Sequence, residues 1–150
     1  MFSEKVILLN YQKTWPTNYS NRGGPYDYEG TRKIAYPAKG FIWDYCKRAG
    51  ISYRNYGEFV HDGTPPILPS IIGHFCPRFP DFNLSIHDVY REKIWEHDFD
   101  SLLSVNNLPR FSTLRFPDDH TSGMRRGAYT PYAAAADNDL AVGRFIEHLS

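Results

Sequence analysis

The sequence predicts an α/β domain, and three stretches carry that prediction. Residues 38–49, AKGFIWDYCKRA, read as a helix that stops at Gly50 and hands over to an alternating strand, ISYRNYGEF. Residues 108–116 read as a second strand that halts at Pro117. Thr130-Pro131 then opens a long helix that reaches the last residue. Helix, glycine, strand is half of a βαβ unit, the building block of parallel sheets. A chain of 150 residues fits one domain and can bury a real core.

Taken in order, residues 2–11 fit either a strand or the start of a helix. Gly23-Gly24-Pro25 and the interleaved Tyr and Asp residues make 12–37 a long Tyr/Pro/Gly-rich loop. Loops of that length in compact domains are usually functional or belong to a larger assembly. In the first helix Phe41, Ile42, Tyr45, Cys46 and Ala49 share one face at three- and four-residue spacing. Lys47 and Arg48 suit its C-terminal dipole, and Gly50 suits the residue after the cap. In the strand that follows, Ile51, Tyr53 and Asn55 point to one side. Residues 61–84 are a second loop-rich segment, so the α/β parts are 38–60 and 85–150.

Residues 85–104 are helical, as one helix or two short ones, with Val89, Ile94, Trp95, Phe99, Leu102 and Leu103 as their apolar positions. Asn106-Asn107 ends that segment. In the second strand Phe111, Thr113 and Arg115 alternate with Ser112, Leu114 and Phe116. Thr130 is an N-cap and Pro131 sits at the first helical position. Val142, Phe145, Ile146 and Leu149 form the apolar face of that helix, which is still running at Ser150. Two clear strands are few for a doubly wound sheet, so the chain is expected to be one partial domain, 1–150, of a longer polypeptide.

Zero formal net charge disfavours non-specific binding to nucleic acid or acidic membrane. No apolar run approaches the roughly 18 residues that a bilayer span needs. The opening MFSEKVILLNYQK has too short an apolar core for a secretory signal. Two cysteines, Cys46 and Cys76, exclude a structural zinc finger and leave a disulfide open.

Chemistry concentrates after Pro117. Asp118, Asp119 and His120 stand where a strand meets a loop, and carboxylate and imidazole are both good ligands for zinc or manganese. The same run also satisfies ordinary turn chemistry. Thr121 and Ser122 offer hydroxyls, either to phosphate or to turn backbone. Arg125 and Arg126 either clamp an anionic substrate or stay solvated. Asp137, Asn138 and Asp139 are poor helix formers inside a predicted helix, which points to bonds with a neighbouring loop or to a ligand site. Glu58 ends the first strand and could face the same edge. His61, His74, His87, His97 and His148 are dispersed and read as ordinary histidines. No nucleophile elbow, P-loop, HExxH or GxGxxG occurs.

Four blocks, KTWPTNYSNRGGPYDYEG, GFIWDYCKRAGISYRNYGEF, LPRFSTLRFPDDHTSG and AAAADNDLAVGRFIEHLS, resemble the bacterial phosphoesterases related to acid phosphatases and phospholipases C, within the alkaline phosphatase superfamily. The resemblance covers Tyr11 to Ser150. It implies a partial α/β/α sandwich and metal-dependent hydrolysis of phosphate esters, small molecules or phospholipids. It implies a divalent metal, zinc foremost, with manganese or calcium as alternatives. Asp119 and His120 match the family's Asp-His-Thr block as metal ligands, with Asp118 as a third. The family's Asp and His are more often four apart, a spacing this chain lacks. Asp137 and Asp139 are carried over as helix residues near the site, and with Arg125 and Arg126 they are the substrate-side candidates. The nucleophile and a second ligand set would lie elsewhere in the same polypeptide, so this stretch is expected to be inactive alone. Export to the periplasm or outside the cell is implied too. On this reading the aromatic loop at 15–28, with Trp15, Tyr19, Tyr26 and Tyr28, forms part of the substrate-pocket wall. The rival expectation is a non-catalytic carbohydrate- or peptide-binding module whose hollow is formed by the Tyr/Trp loops.

Overall fold

The computed structural model describes residues 36–61 and 66–150. The chain divides into two compact units, Met1–Ile42 and Trp43–Ser150. The second holds nearly all the regular structure among the described residues. Its elements are α1 (Ile42–Arg48), β1 (Tyr53–Tyr56), α2 (Asp88–Ser104), β2 (Phe111–Leu114), a 3-10 turn (Asp118–His120) and α3 (Pro131–Leu149). The fold is therefore mixed helix and strand around a small parallel sheet, as the helix–glycine–strand pattern predicts.

β1 and β2 pair in parallel, with Tyr53 opposite Phe111 and Tyr56 opposite Leu114. Parallel neighbours need a long crossover, and α2 supplies it. Gly50, at φ +63°, ends α1 where the sequence places the break. The next strand is buried on both faces: Tyr53, Asn55 and Tyr56 are all inside. Asn55 is fixed on each side. Its Nδ2 donates to the Glu58 carbonyl at 2.6 Å and its Oδ1 accepts from Thr113 Oγ1 at 2.8 Å.

Within residues 66–80, read above as loop, Phe75 forms an isolated parallel bridge to Asn55 of β1. Asn55 N donates to the His74 carbonyl at 2.8 Å, and Cys76 N donates to the Asn55 carbonyl at 3.0 Å. Leu68, Ile71, Cys76 and Phe79 are buried there. Gly57, at φ +95°, lets Phe79 in: a Cβ at that position would stand 3.0 Å from the ring. Cys46 and Cys76 are both buried free thiols, which answers the disulfide question in the negative.

The helix faces depart from the apolar patterns. In α1 the inward residues are Trp43 and Cys46, while Ile42 and Tyr45 are exposed. Trp43 turns in because its Nε1 finds Thr113 Oγ1 at 3.2 Å and its ring meets Phe59 edge-on. α2 is one helix, and its buried stripe is Asp88, Arg91, Glu92, Trp95 and Asp98. The spacing is helical, but four of the five residues are charged. α3 buries Ala134 and Ala141, with Phe145 half-buried, while Val142, Ile146 and Leu149 of the expected face are exposed. Thr130 does cap it, accepting from Ala133 N at 3.2 Å. Small alanines bring the helix close, and Phe145 reaches Trp95 at a ring distance of 4.5 Å. The core so formed joins Tyr56, Cys76, Phe79 and Trp95 to Leu114 and Phe116.

Asp98 ties α2 to β1. Arg54 grips it through Nε at 2.5 Å and Nη2 at 2.7 Å, and the Tyr56 hydroxyl donates to it at 2.8 Å. Burial pushes the Asp98 carboxyl up, but the bonds from Arg54 and Tyr56 outweigh it and hold the group below its usual range. Asp98→Ala is expected to cost about 2–3 kcal/mol in urea denaturation at pH 7, less than for a fully buried pair because both side chains keep some solvent. Tyr56→Phe is expected to cost about 1–2 kcal/mol. A loss under ~0.5 kcal/mol for Asp98→Ala would show that the tie contributes nothing.

Candidate functional site

Past β2 the chain runs through Pro117 into the 3-10 turn, and that turn splits the Asp118-Asp119-His120 run. Asp118 points inward and is 3% exposed. Asp119 and His120 are exposed. His120 rests edge-on against Phe82 at 5.3 Å, and the Arg115 guanidinium lies over that same ring at 4.6 Å. The three neighbours therefore do not converge. Successive residues of a tight turn point in different directions, so adjacency in sequence works against joint ligation here.

What gathers around Asp118 comes from α2 and α3. Asp88, at the first position of α2, is fully buried. Its Oδ2 accepts from Asp118 N at 2.8 Å and from Asn138 Nδ2 at 2.9 Å, and its Oδ1 accepts from Arg91 Nη1 at 3.1 Å. Asn138 Nδ2 also donates to the Phe116 carbonyl at 3.0 Å. Arg91, fully buried too, donates to the backbone carbonyls of Asp81, Asn83 and Ile86. Burial pushes Asp88 up and Arg91 down from their ordinary values, and each opposes the shift of the other. A guanidinium stays charged through such a shift, and it keeps Asp88 company as a carboxylate.

Asp137 repays the link from α3. Its Oδ2 accepts from Asp88 N at 2.7 Å and Val89 N at 3.3 Å, so it caps the N-terminus of α2 from another helix. Its Oδ1 stands 3.0 Å from His87 Nδ1, and the other ring nitrogen, Nε2, is 2.6 Å from the Tyr129 hydroxyl. One tautomer satisfies the whole row: Nδ1–H donates to Asp137, and Nε2 accepts from Tyr129.

The row leaves Asp118 short. Its Oδ1 is buried with no donor to meet it as a carboxylate, whereas the protonated carboxyl can bond to Asp137. Burial first, then the Asp88 charge, push its carboxyl up; Arg91 opposes them, Asp137 adds to them, and the result is about 6. One donor atom each from His87, Asp118 and Asp137 lies within 4.8 Å of the others, a spacing that one divalent ion can close. The orphaned Asp118 oxygen and the mixed imidazole–carboxylate donor set fit such an ion. Among the described residues a second group, Glu96, Asp100 and His148, has the same spacing.

Of the other sequence candidates, Arg125 and Arg126 are exposed on the loop between the turn and α3, and Asp139 is exposed on α3. Asp137 is half-buried and engaged as described. Glu58 meets Arg115 Nη1 at 3.6 Å, and His74 stacks on Tyr53 at 4.3 Å. Trp15, Tyr19, Tyr26 and Tyr28 lie outside the described residues, as does the segment 2–11. His87, Asp88 and Arg91 were not singled out from sequence. The available signal was that Asp88, Arg91 and Asp98 recur on the same face as Trp95.

The Asp118 carboxyl makes a test in metal-free, chelated buffer. An unfolded Asp titrates near ~3.9, and the folded group titrates at about 6. The folded state therefore holds more protons between those values, and stability falls as pH rises through that window. Asp118→Asn is expected to be more stable than the parent at pH 7, by up to about 3 kcal/mol, with the gain fading below roughly pH 4. Equal destabilisation by Asp118→Asn at every pH would contradict this.

No protein-family model, curated protein or solved structure matches this chain.

Proposed function

We propose that this chain is part of a metal-dependent phosphoesterase and that a divalent cation, zinc foremost, is held by Asp118 together with His87 and Asp137. The observation that carries the reading is the buried, unpartnered Asp118 Oδ1 at the exit of β2, with an imidazole and a second carboxylate beside it. Ligands placed where a parallel strand ends are a common plan in α/β enzymes. When bound, the ion would polarise a phosphoryl oxygen and stabilise the attacking and leaving oxygens.

The chain's own residues have separate parts in this proposal. Asp88 and Asn138 hold the 3-10 turn, and so aim Asp118. Tyr129 sets the ring of His87 through Nε2, and Nδ1, which faces Asp137, would give up its proton on taking the ion. Arg125 and Arg126, exposed on the adjoining loop, would meet the phosphate as bidentate donors. Asp119 and His120, exposed on the same turn, are candidate ligands for a second ion or for substrate, and Asp139 is a surface neighbour. The α/β/α sandwich, the phosphate-ester or phospholipid substrate, the nucleophile from the rest of the polypeptide and export all come with the same proposal through the sequence resemblance. Among the described residues no helix is long and apolar enough to cross a membrane.

Zinc titration of the 150-residue chain by calorimetry tests the reading. Asp118→Asn is expected to weaken one binding event at least ~10-fold, whereas Asp119→Asn leaves that same event within ~2-fold. The chain alone is expected not to hydrolyse p-nitrophenyl phosphate with zinc present. An isotherm untouched by Asp118→Asn would remove the Asp118 site, and zinc-dependent turnover by the chain alone would refute the shared-site account.

A further inference from the structure

The far end of the α2–α3 interface carries a second set of groups that the Asp118 cluster does not use. Glu92, Glu96 and Asp100 follow one another at four-residue spacing along α2, so they form one carboxylate row. Like charges at that spacing repel and weaken a helix unless something answers them. His148, in the last turn of α3, comes down onto the row. Its Nε2 is 2.8 Å from Asp100 Oδ1, and its Nδ1 is 3.4 Å from Glu96 Oε1. One donor atom each from Glu96, Asp100 and His148 lies within 4.8 Å of the others.

Three further observations separate this place from an ordinary charged surface. A hollow of about 630 Å³ opens beside it, lined by Glu92, Lys93, Glu96, Arg144, Glu147 and His148, with room for an ion and its remaining waters. Glu92 lines that hollow while only 3% exposed, and its side chain makes no hydrogen bond or ion pair among the described residues. Burial, then the charge of Glu96, raise its carboxyl above the ordinary range, while Arg144, His148 and Lys93 act from a distance to lower it. The His148 ring is also held in place, with Trp95 and Phe99 both edge-on at 5.6 Å. A ring locked by aromatic packing presents its nitrogens without an ordering cost.

We propose that Glu96, Asp100 and His148 form a second divalent-cation site, with the buried carboxylate of Glu92 behind it, which pins the C-terminal turn of α3 to α2. One imidazole and two carboxylates suit a borderline ion, with Zn²⁺ as the natural choice and water completing the shell. The site is structural in kind. It bridges two helices, and its ion would stabilise the folded chain by mass action. It shares no ligand with the Asp118 cluster and stands or falls separately from the phosphoesterase proposal.

Zinc binding by the full 150-residue chain tests it, by calorimetry and by thermal melting followed with far-UV circular dichroism. His148→Gln and Asp100→Asn are each expected to weaken one zinc event at least ~10-fold and to abolish the zinc-induced rise in Tm that belongs to it. Asp118→Asn is expected to keep that event within ~2-fold, so loss of one site is told apart from loss of the other. Asp100 is exposed, which makes Asp100→Asn the variant least disturbing to the fold. A second readout needs no variant: the His148 imidazole resonances of the parent chain should shift with zinc. Zinc events that survive both His148→Gln and Asp100→Asn unchanged, or His148 resonances that ignore zinc, would overturn the proposal.

Discussion

The structure depends on a reciprocal clamp between two helices. Asp88 of α2 takes hydrogen bonds from Asn138 of α3 and from the Asp118 amide, while Asp137 of α3 takes them from the first amides of α2. Each helix thus satisfies polar groups that the other would leave bare. The first amides of a helix have no partner of their own, and burying them unmet is costly. A carboxylate borrowed from a distant helix meets that need and fixes the crossing at the same time. Removing one partner of such a network costs far more than the network gains over an apolar core, because the group left behind stays buried. The clamp is therefore an arrangement of specificity, and its position at the exit of β2 gives it a chemical consequence.

That consequence follows from counting charges. Asp88, Asp118 and Asp137 act on one another, and Arg91 is the guanidinium that acts on Asp118. Arg91 already serves Asp88 and three backbone carbonyls. The group left over is Asp118, which must keep its proton or find a cation. A proton answers the need at low pH, and a divalent ion answers it near neutrality. The same reasoning holds at the other end of the interface, where a carboxylate row on α2 faces one histidine. Between the two ends the contact is aromatic, with Trp95 against Phe99 and Phe145. The α2–α3 seam is thus greasy in the middle and carries a carboxylate cluster at each end.

Boundaries were more legible in the sequence than faces. Gly50 and Thr130-Pro131 act through local backbone geometry, which neighbours in space do not alter, and each marks its element end as read, whereas β2 stops at Leu114, short of Pro117. Which side of a helix turns inward depends on the partner. α3 buries alanines because α2 comes close, so the larger Val142, Ile146 and Leu149 are left outside. α2 buries charges because Arg54, Asn138 and the loop carbonyls near 81–86 receive them, and none of those partners is nearby in sequence. The acidic ADND stretch was rightly suspected of reaching a neighbouring loop or site, since Asp137 and Asn138 do so. In the Asp118-Asp119-His120 run only Asp118 turns inward, where it lies near His87 and Asp137, while Asp119 and His120 are exposed.

The most direct measurement is a pH titration of the Asp118 carboxyl carbon by NMR, first in chelated buffer and then with zinc. The account predicts a midpoint of about 6 without metal and a marked fall when zinc is present. A midpoint in the ordinary aspartate range of roughly 3.9, unmoved by zinc, would contradict it.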